Sequence, residues 1–362
     1  MQRPRGRGLV ASGAVLALLA LALAAPAGAS HENRVPKRVV ASGLNGPFGL
    51  DYGRRFIYVA EADPGQVTEI DPRTGTTRVV ASGFTSPSAV DRIDSELAII
   101  TGGSQVPDST TTGDASLFVT EPGGTPELLA DLEAYELANN PDGQLQFDPE
   151  TNEPLDALSN PFAVMKQRGS GWVLVADAGA NAILSVSREG EVSTFFVPPL
   201  VTTGSCAGRP NNDPEHVGCD SVPTGLAYGP NETIYVSTLS GQAPGEGRVY
   251  VLNANTGEVL DVISGLDGPT GVEVGDDGSV YVSEVTYGLP DGPPPDDLDP
   301  ATIGRIVRIA PDGTQTYAQV PMPTGLSFHG ETLYASTWSV AGLFLGIPDK
   351  GEVLALRVSA FS

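Results

Sequence analysis

The sequence predicts an all-β fold, a six-bladed β-propeller, on three observations. The first is a four-residue phrase that returns six times: proline, a small or aromatic residue, glycine or alanine, then leucine or valine. It reads Pro47-Phe48-Gly49-Leu50, Pro87-Ser88-Ala89-Val90, Pro161-Phe162-Ala163-Val164, Pro223-Thr224-Gly225-Leu226, Pro269-Thr270-Gly271-Val272 and Pro323-Thr324-Gly325-Leu326. A phrase recurring every few dozen residues marks a repeat architecture. The second is that each phrase opens a unit of short β-rich runs parted by tight turns, four strands of antiparallel sheet to a unit. The third is a strand missing from the last unit and a spare one at the start, which together close the units into a ring.

From the N-terminus, the first 29 residues are expected to lie outside the fold. Arg3, Arg5 and Arg7 precede an apolar stretch from about Leu9 to Ala25, and Ala27-Gly28-Ala29 supplies the small residues that a signal peptidase cuts after. That is the pattern of a secretory signal peptide cleaved near Ala29, leaving residues 30–362 as a single propeller domain in a secreted or cell-envelope protein. No other stretch reaches the ~18 apolar residues of a membrane helix.

Within a unit the phrase begins the first strand, nearest the axis, where six strands converge. Glycine or alanine suits that crowding, and a proline at a strand's first residue gives up no ladder hydrogen bond. Second strands are expected from Ile57 to Ala60, Ala98 to Thr101, Val173 to Ala176, Ile234 to Ser237, Val280 to Ser283 and Leu333 to Ser336. Third strands follow, as at Gln66 to Ile70, then turns such as Asp71-Pro72-Arg73-Thr74-Gly75 whose glycine takes a positive φ. Fourth strands end the unit, as at Thr77 to Val80 and Val192 to Phe195. The sixth unit stops after its third strand, Gly351 to Leu356. Its fourth is expected from Pro36 to Leu44, which echoes Thr76 to Phe84 at the close of the first unit. Borrowing that strand leaves no blade edge unpaired.

The proline anchors lie 40, 74, 62, 46 and 54 residues apart, against roughly 40–45 for a plain blade. The surplus falls in links between second and third strands (Gly102 to Asp114, Ser240 to Glu246, Thr286 to Ile303, Ser339 to Lys350) and in links between blades (Leu132 to Asn160, Val197 to Val222). Both kinds emerge on the same face of an up-and-down ring. One face is therefore decorated and the other trimmed, and function belongs on the decorated one. Leu132 to Asn139 reads as a short helix, and Asp291 to Pro300 as a stiff acidic loop.

Taking the leader's three arginines from the 20 basic residues leaves 17 against 44 acidic ones, a net charge of −27. Such a surface repels nucleic acid and anionic membranes and welcomes cations. Cys206 and Cys219 lie in one link, and in an oxidising compartment they are expected to form a disulfide contributing about 3 kcal/mol.

The residues ending the six second strands are Glu61, Gly102, Asp177, Thr238, Glu284 and Thr337. Three carboxylates around an axis can hold calcium through oxygen ligands. Alternatively, each caps the backbone amides of the turn that follows it. Thr238 and Thr337 are ligand-site candidates at the same face. So are Phe48 and Phe162, which replace the phrase's hydroxyl residue and either line the mouth of the axis or fill gaps between blades. Of the histidines, His31 lies at the mature N-terminus, His329 on the trimmed face and His216 in the cysteine-bearing link. None occupies a recurring position, so no catalytic triad is expected and no catalytic residue is assigned.

The repeat unit resembles six-bladed propellers of the NHL and TolB-like kind, with Val175-Ala176-Asp177-Ala178-Gly179-Ala180-Asn181-Ala182-Ile183 similar to an NHL signature. The leader, the opening Arg38-Val39-Val40-Ala41-Ser42-Gly43-Leu44 with Pro47-Phe48-Gly49-Leu50, and the insert Tyr135-Glu136 through Asn139-Asn140-Pro141-Asp142-Gly143 to Ser159-Asn160-Pro161-Phe162 resemble the ScyD/ScyE family. That resemblance spans essentially the whole mature chain and implies fold and export, with no particular reaction. The chain thus reads as a secreted binding or scaffold propeller whose acidic, loop-rich face meets a small molecule, glycan or extracellular protein. The alternative is a calcium-dependent hydrolase or lactonase with its metal on Glu61, Asp177 and Glu284.

Overall fold

Six four-stranded antiparallel sheets follow one another along the chain. The computed structural model describes residues 36–103, 113–155, 157–169, 171–290, 295 and 297–362. The expected leader, His31, the middle of the link after Gly102 and part of the acidic loop after Pro290 lie outside the described residues. Blade 1 is Pro47–Tyr52, Ile57–Glu61, Gln66–Ile70 and Thr77–Ser82. Blades 2 to 5 open with Pro87–Ile93, Pro161–Lys166, Pro223–Gly229 and Pro269–Val274, each followed outward by its next three strands. Blade 6 joins Leu326–His329, Thr332–Thr337 and Gly351–Leu356 to Lys37–Leu44 from the other end of the sequence. Lys37 stands opposite Leu356 and Leu44 opposite Gly351, so the expected ring closure is present.

In blades 1 to 5 the pairing register slips immediately after the phrase's proline. The slip is a β-bulge, and it frees the phrase's second residue from the ladder so that its side chain can leave the blade. In blade 6 the ladder starts later, at Leu326. Gly325 there donates its N–H to the Phe48 carbonyl of blade 1 (3.2 Å), drawing the phrase toward its neighbour.

Burial follows from the stacking of blades. The apolar core is six wedges, each between two neighbours. Blades 1 and 2 share Ala60, Val67, Val90 and Ile99, for example, and blades 3 and 4 share Leu174, Ile183, Ile234 and Val236. Second strands are covered on both sides, so Ile57–Glu61, Val173–Asp177 and Val280–Glu284 are buried at every residue. The outermost strand Val259–Leu266 is largely exposed.

Most of the described helical turns lie in the long links; one, Val358–Ala360, follows the last strand. Helix α1, Leu132–Asn139, has the expected bounds: the Asp131 carboxylate accepts the Ala134 N–H (2.9 Å), and Asn140 ends it in the left-handed region at φ 45°. Helix α2 is Ala341–Leu345. Cys206 and Cys219 form the expected disulfide, with Cα atoms 5.4 Å apart. None of the described helices is long and apolar enough to cross a membrane.

Candidate functional site

Six inner strands meet around the axis, and the freed second residue of each phrase decides what happens at its decorated-face end. Where that residue is Ser or Thr, it reaches across to the next blade. Ser88 donates to the Pro161 carbonyl (2.6 Å), Thr224 to Pro269 (2.9 Å), Thr270 to Pro323 (3.1 Å) and Thr324 to Phe48 (3.1 Å). The recurring hydroxyl is therefore a rivet between blades. Blades 1 and 3 lack it, and in its place Phe48 and Phe162 turn their rings edge to face, centroids 5.8 Å apart. Phe162 lines the axial cavity below, while Phe48 also packs against the Val285, Met322 and Val340 cluster on the decorated face. The two rings thus meet although they come from blades that are not neighbours.

The acids that end second strands are buried and fully engaged by the scaffold. Glu61 accepts the Asn45 N–H (2.8 Å) and Gln66 Nε2 (2.9 Å), and takes a further bond from the Thr68 hydroxyl. Asp177 accepts the Ser159 hydroxyl (2.5 Å) and the N–H groups of Asn160 (2.7 Å), Gly179 (3.2 Å) and Ala180 (3.2 Å). Glu284 accepts the Asp267 N–H (2.7 Å) and is paired with Arg305, whose guanidinium lies between the rings of Tyr287 and Tyr317. Only Asp177 caps its own following turn. What all three share is a bond to the link that enters their blade, pinning that link over the strand end. Burial pushes the Asp177 and Glu284 carboxyls up despite these donors. The three do not converge, and among the described residues no three His, Cys, Asp or Glu side chains gather to hold a metal ion. Thr238 and Thr337 are fully buried. Their hydroxyls turn to the Arg248 and Glu352 carbonyls of their own blades, each at 3.5 Å.

Below the mouth, the inner strands enclose a cavity of about 290 Å³. Its trimmed-face end carries groups that the sequence reading missed. Four residues beyond each phrase's proline stand Asp51, Asp91, Met165, Ala227, Glu273 and Ser327. Three of the polar ones, Asp51, Asp91 and Ser327, form a second set of rivets. Asp51 accepts the Arg92 N–H (3.1 Å), Asp91 the Lys166 N–H (2.5 Å) and Ser327 the Tyr52 N–H (3.0 Å). Glu273 instead accepts the N–H of its own strand neighbour, Val274 (3.2 Å). Burial, and then the charge of Asp91, holds Asp51 well above the usual carboxylate range. Burial raises Asp91 to about 6 and Glu273 to about 8, the latter helped by Asp91. Each of these residues keeps partial exposure, and what it faces is the narrow axial cavity. Superposing the six phrases and reading four residues further would have found this ring.

The inserts carry a second overlooked network. Asn181 is 4% exposed. It donates to Asp142 (3.0 Å) and accepts the Val222 N–H (3.1 Å). Gln144 bridges Asp142 (3.0 Å) and Asp220 (2.9 Å), and Asn211 reaches the same Asp220 oxygen (2.9 Å). His216 Nδ1 lies 2.8 Å from Asp213, a carboxylate held below its ordinary value by the Leu145 and Glu215 N–H groups and the imidazole, which outweigh its burial. His329 stacks on Tyr52 at 3.9 Å on the trimmed face.

Comparison with known proteins gives one kind of match. No protein-family model and no curated protein matches the chain. Among solved structures, a calcium-binding regucalcin from Agrobacterium tumefaciens is 15% identical, with a TM-score of 0.54 over 88% of this chain and 92% of its own. A PQQ-bound aldose sugar dehydrogenase from Streptomyces coelicolor is 13% identical, TM-score 0.55, covering 88% and 96%. A gluconolactonase from Xanthomonas campestris is 13% identical, TM-score 0.53, covering 89% of each chain. At these identities the likeness fixes the fold alone: the chain is built like these propellers.

Proposed function

We propose that the protein is a secreted binding propeller of the ScyD/ScyE kind, exported after cleavage near Ala29. It presents its acidic, loop-rich face to a small molecule, glycan or extracellular protein. The observation that carries the reading is the state of the strand-end acids. Their oxygens are taken up by the scaffold's own donors, while Phe48 and Phe162 stand over a cavity sized for a small ligand. A pocket that is concave, partly apolar and fitted with a few polar groups is the usual form of a binding site.

The calcium-dependent lactonase reading is supported by the equivalent placement of Glu61, Asp177 and Glu284 at their strand ends. It requires each acid to release donors it now holds, and we derive no step through a metal. Thermal melts of the mature protein with calcium and with EDTA separate the two readings. Coincident melts, together with a stabilising compound from a metabolite and oligosaccharide screen whose effect is lost in Phe162→Ala, are the expected result. A calcium shift of several degrees that disappears when the three acids are replaced would favour the lactonase instead.

A further inference from the structure

The trimmed face is short of loops but carries a group of cations that the acidic chain leaves unpaired. With 44 acidic residues against 20 basic ones, an arginine on this surface has carboxylates in excess around it. Arg73, Arg78, Arg188, Arg305 and Arg308 each pair with one. Among the described residues Arg54, Arg55 and Arg92 pair with none, and all three line one pocket of about 400 Å³. Arg54 and Arg55 are exposed in the turn between Pro47–Tyr52 and Ile57–Glu61, and Arg92 lies near the end of Pro87–Ile93 in the next blade. The pocket therefore sits at the trimmed end of the seam between blades 1 and 2. The Arg92 guanidinium is held there by neutral partners: it donates to the Tyr58 hydroxyl (2.7 Å) and to the Asp94 carbonyl (3.0 Å). Arg55 lies over the Phe56 ring at 4.9 Å. The carboxylates of the neighbouring turns are claimed by other cations. Glu69 holds Arg78 (2.9 Å) and the Tyr58 hydroxyl (3.0 Å), Asp71 holds Arg73 (3.2 Å), and Asp94 lies 3.6 Å from Lys166. A guanidinium fixed by neutral acceptors keeps its charge and its remaining N–H donors for an incoming anion.

We propose that this pocket binds a hexuronate, the unit of acidic extracellular polysaccharides, with its carboxylate on Arg54, Arg55 and Arg92 and its hydroxyls toward Glu121 and Ser95.

The rest of the lining selects the class of anion. Glu121 and Ser95 stand in the same pocket as the three arginines, with Phe56 and Pro122 as apolar wall. Glu121 accepts a sugar hydroxyl but repels a bare dianion such as phosphate, whereas a planar carboxylate with a single charge matches the guanidinium fork. The overall negative charge of the chain does not forbid the contact. At 0.15 M salt, charges farther than about 8 Å are largely screened, so a short acidic sugar meets the pocket, while a long polyanion still meets the acidic surface around it. The pocket lies on the face opposite the long links, so it is separate from the site proposed at the axis.

The test is isothermal titration calorimetry of the mature protein with digalacturonate at about 0.15 M salt, with maltose and inorganic phosphate as comparison ligands. Wild type and Lys350→Ala, a control on the decorated face, are expected to bind digalacturonate equally. The double variant Arg54→Ala/Arg55→Ala is expected to bind it roughly tenfold more weakly or worse. Arg92→Lys keeps the charge but loses the fork, for an expected weakening of about 3–10-fold. Maltose should give no heat of binding, and phosphate should bind more weakly than digalacturonate. Absent binding at millimolar digalacturonate, or an unchanged Kd in the double variant, overturns the proposal. So does maltose or phosphate binding as tightly as digalacturonate. Should Arg92→Lys fail to fold, the double variant decides the matter, since both of its positions are exposed in a turn.

Discussion

Asp177→Ala is the sharpest probe of how the decorated face is built. The carboxylate is fully buried and receives four donors: the Ser159 hydroxyl at 2.5 Å and the N–H groups of Asn160, Gly179 and Ala180 at 2.7, 3.2 and 3.2 Å. Truncation strands all four. A buried donor left unsatisfied costs about 1–3 kcal/mol. Water entering the vacated space recovers part of that, and relief from burying a charge recovers more, since burial already pushes this carboxyl up. The net expected loss is about 3–5 kcal/mol, the range typical of removing one partner from a buried charged set. Asp177→Asn keeps an acceptor and should lose about 1–2 kcal/mol. Urea unfolding with saturating calcium and with EDTA measures both. The midpoint should fall with an unchanged slope, by the same amount in either solution. An alanine variant within ~0.5 kcal/mol of wild type, or a loss that appears only with calcium present, would refute this account of the acid.

Two further outcomes follow from the packing. Gly49→Ala places a Cβ 2.6 Å from that of Ala89 and 2.9 Å from the Ser88 carbonyl oxygen. The inner strands of blades 1 and 2 must then part, at about 1–3 kcal/mol, read as a lowered melting temperature. Replacing Cys206 and Cys219 together by serine removes the cross-link across 13 residues. It should cost about 2–3 kcal/mol in urea, and the same loss should appear in wild type on adding reductant.

The architecture was legible because it is written in repeats. The six prolines, the hydroxyl or aromatic residue after them and the matching ends of the chain each recur in a form that one sequence suffices to reveal. The helix from Leu132 to Asn139 was legible for a local reason, since Asp131 and Asn140 mark its two caps. The site was less so. That Glu61 and Glu284 bond to the links entering their blades depends on contacts across 16 and 17 residues that no local spacing encodes. Asn181, which the sequence offered only as part of an NHL-like signature, is a junction between two inserts. Asp51, Asp91 and Glu273 escaped notice for another reason: Met165 and Ala227 at the equivalent positions hide the pattern unless the six units are superposed.

The gaps in the two sets of rivets have a structural price. The joint between blades 3 and 4 has Phe162 at one end and Met165 at the other, so neither set crosses it. It is spanned instead by the Arg168 N–H to the Tyr228 hydroxyl (2.8 Å), by the apolar wedge, and by the network from Asp142 through Asn181 to Val222. That network belongs to the connection entering blade 3 and the disulfide-bearing connection leaving it. The two longest insertions thus act as a splint over the one unriveted seam of the ring. Their length serves the ring itself: shortening either one should let the circle open at this seam.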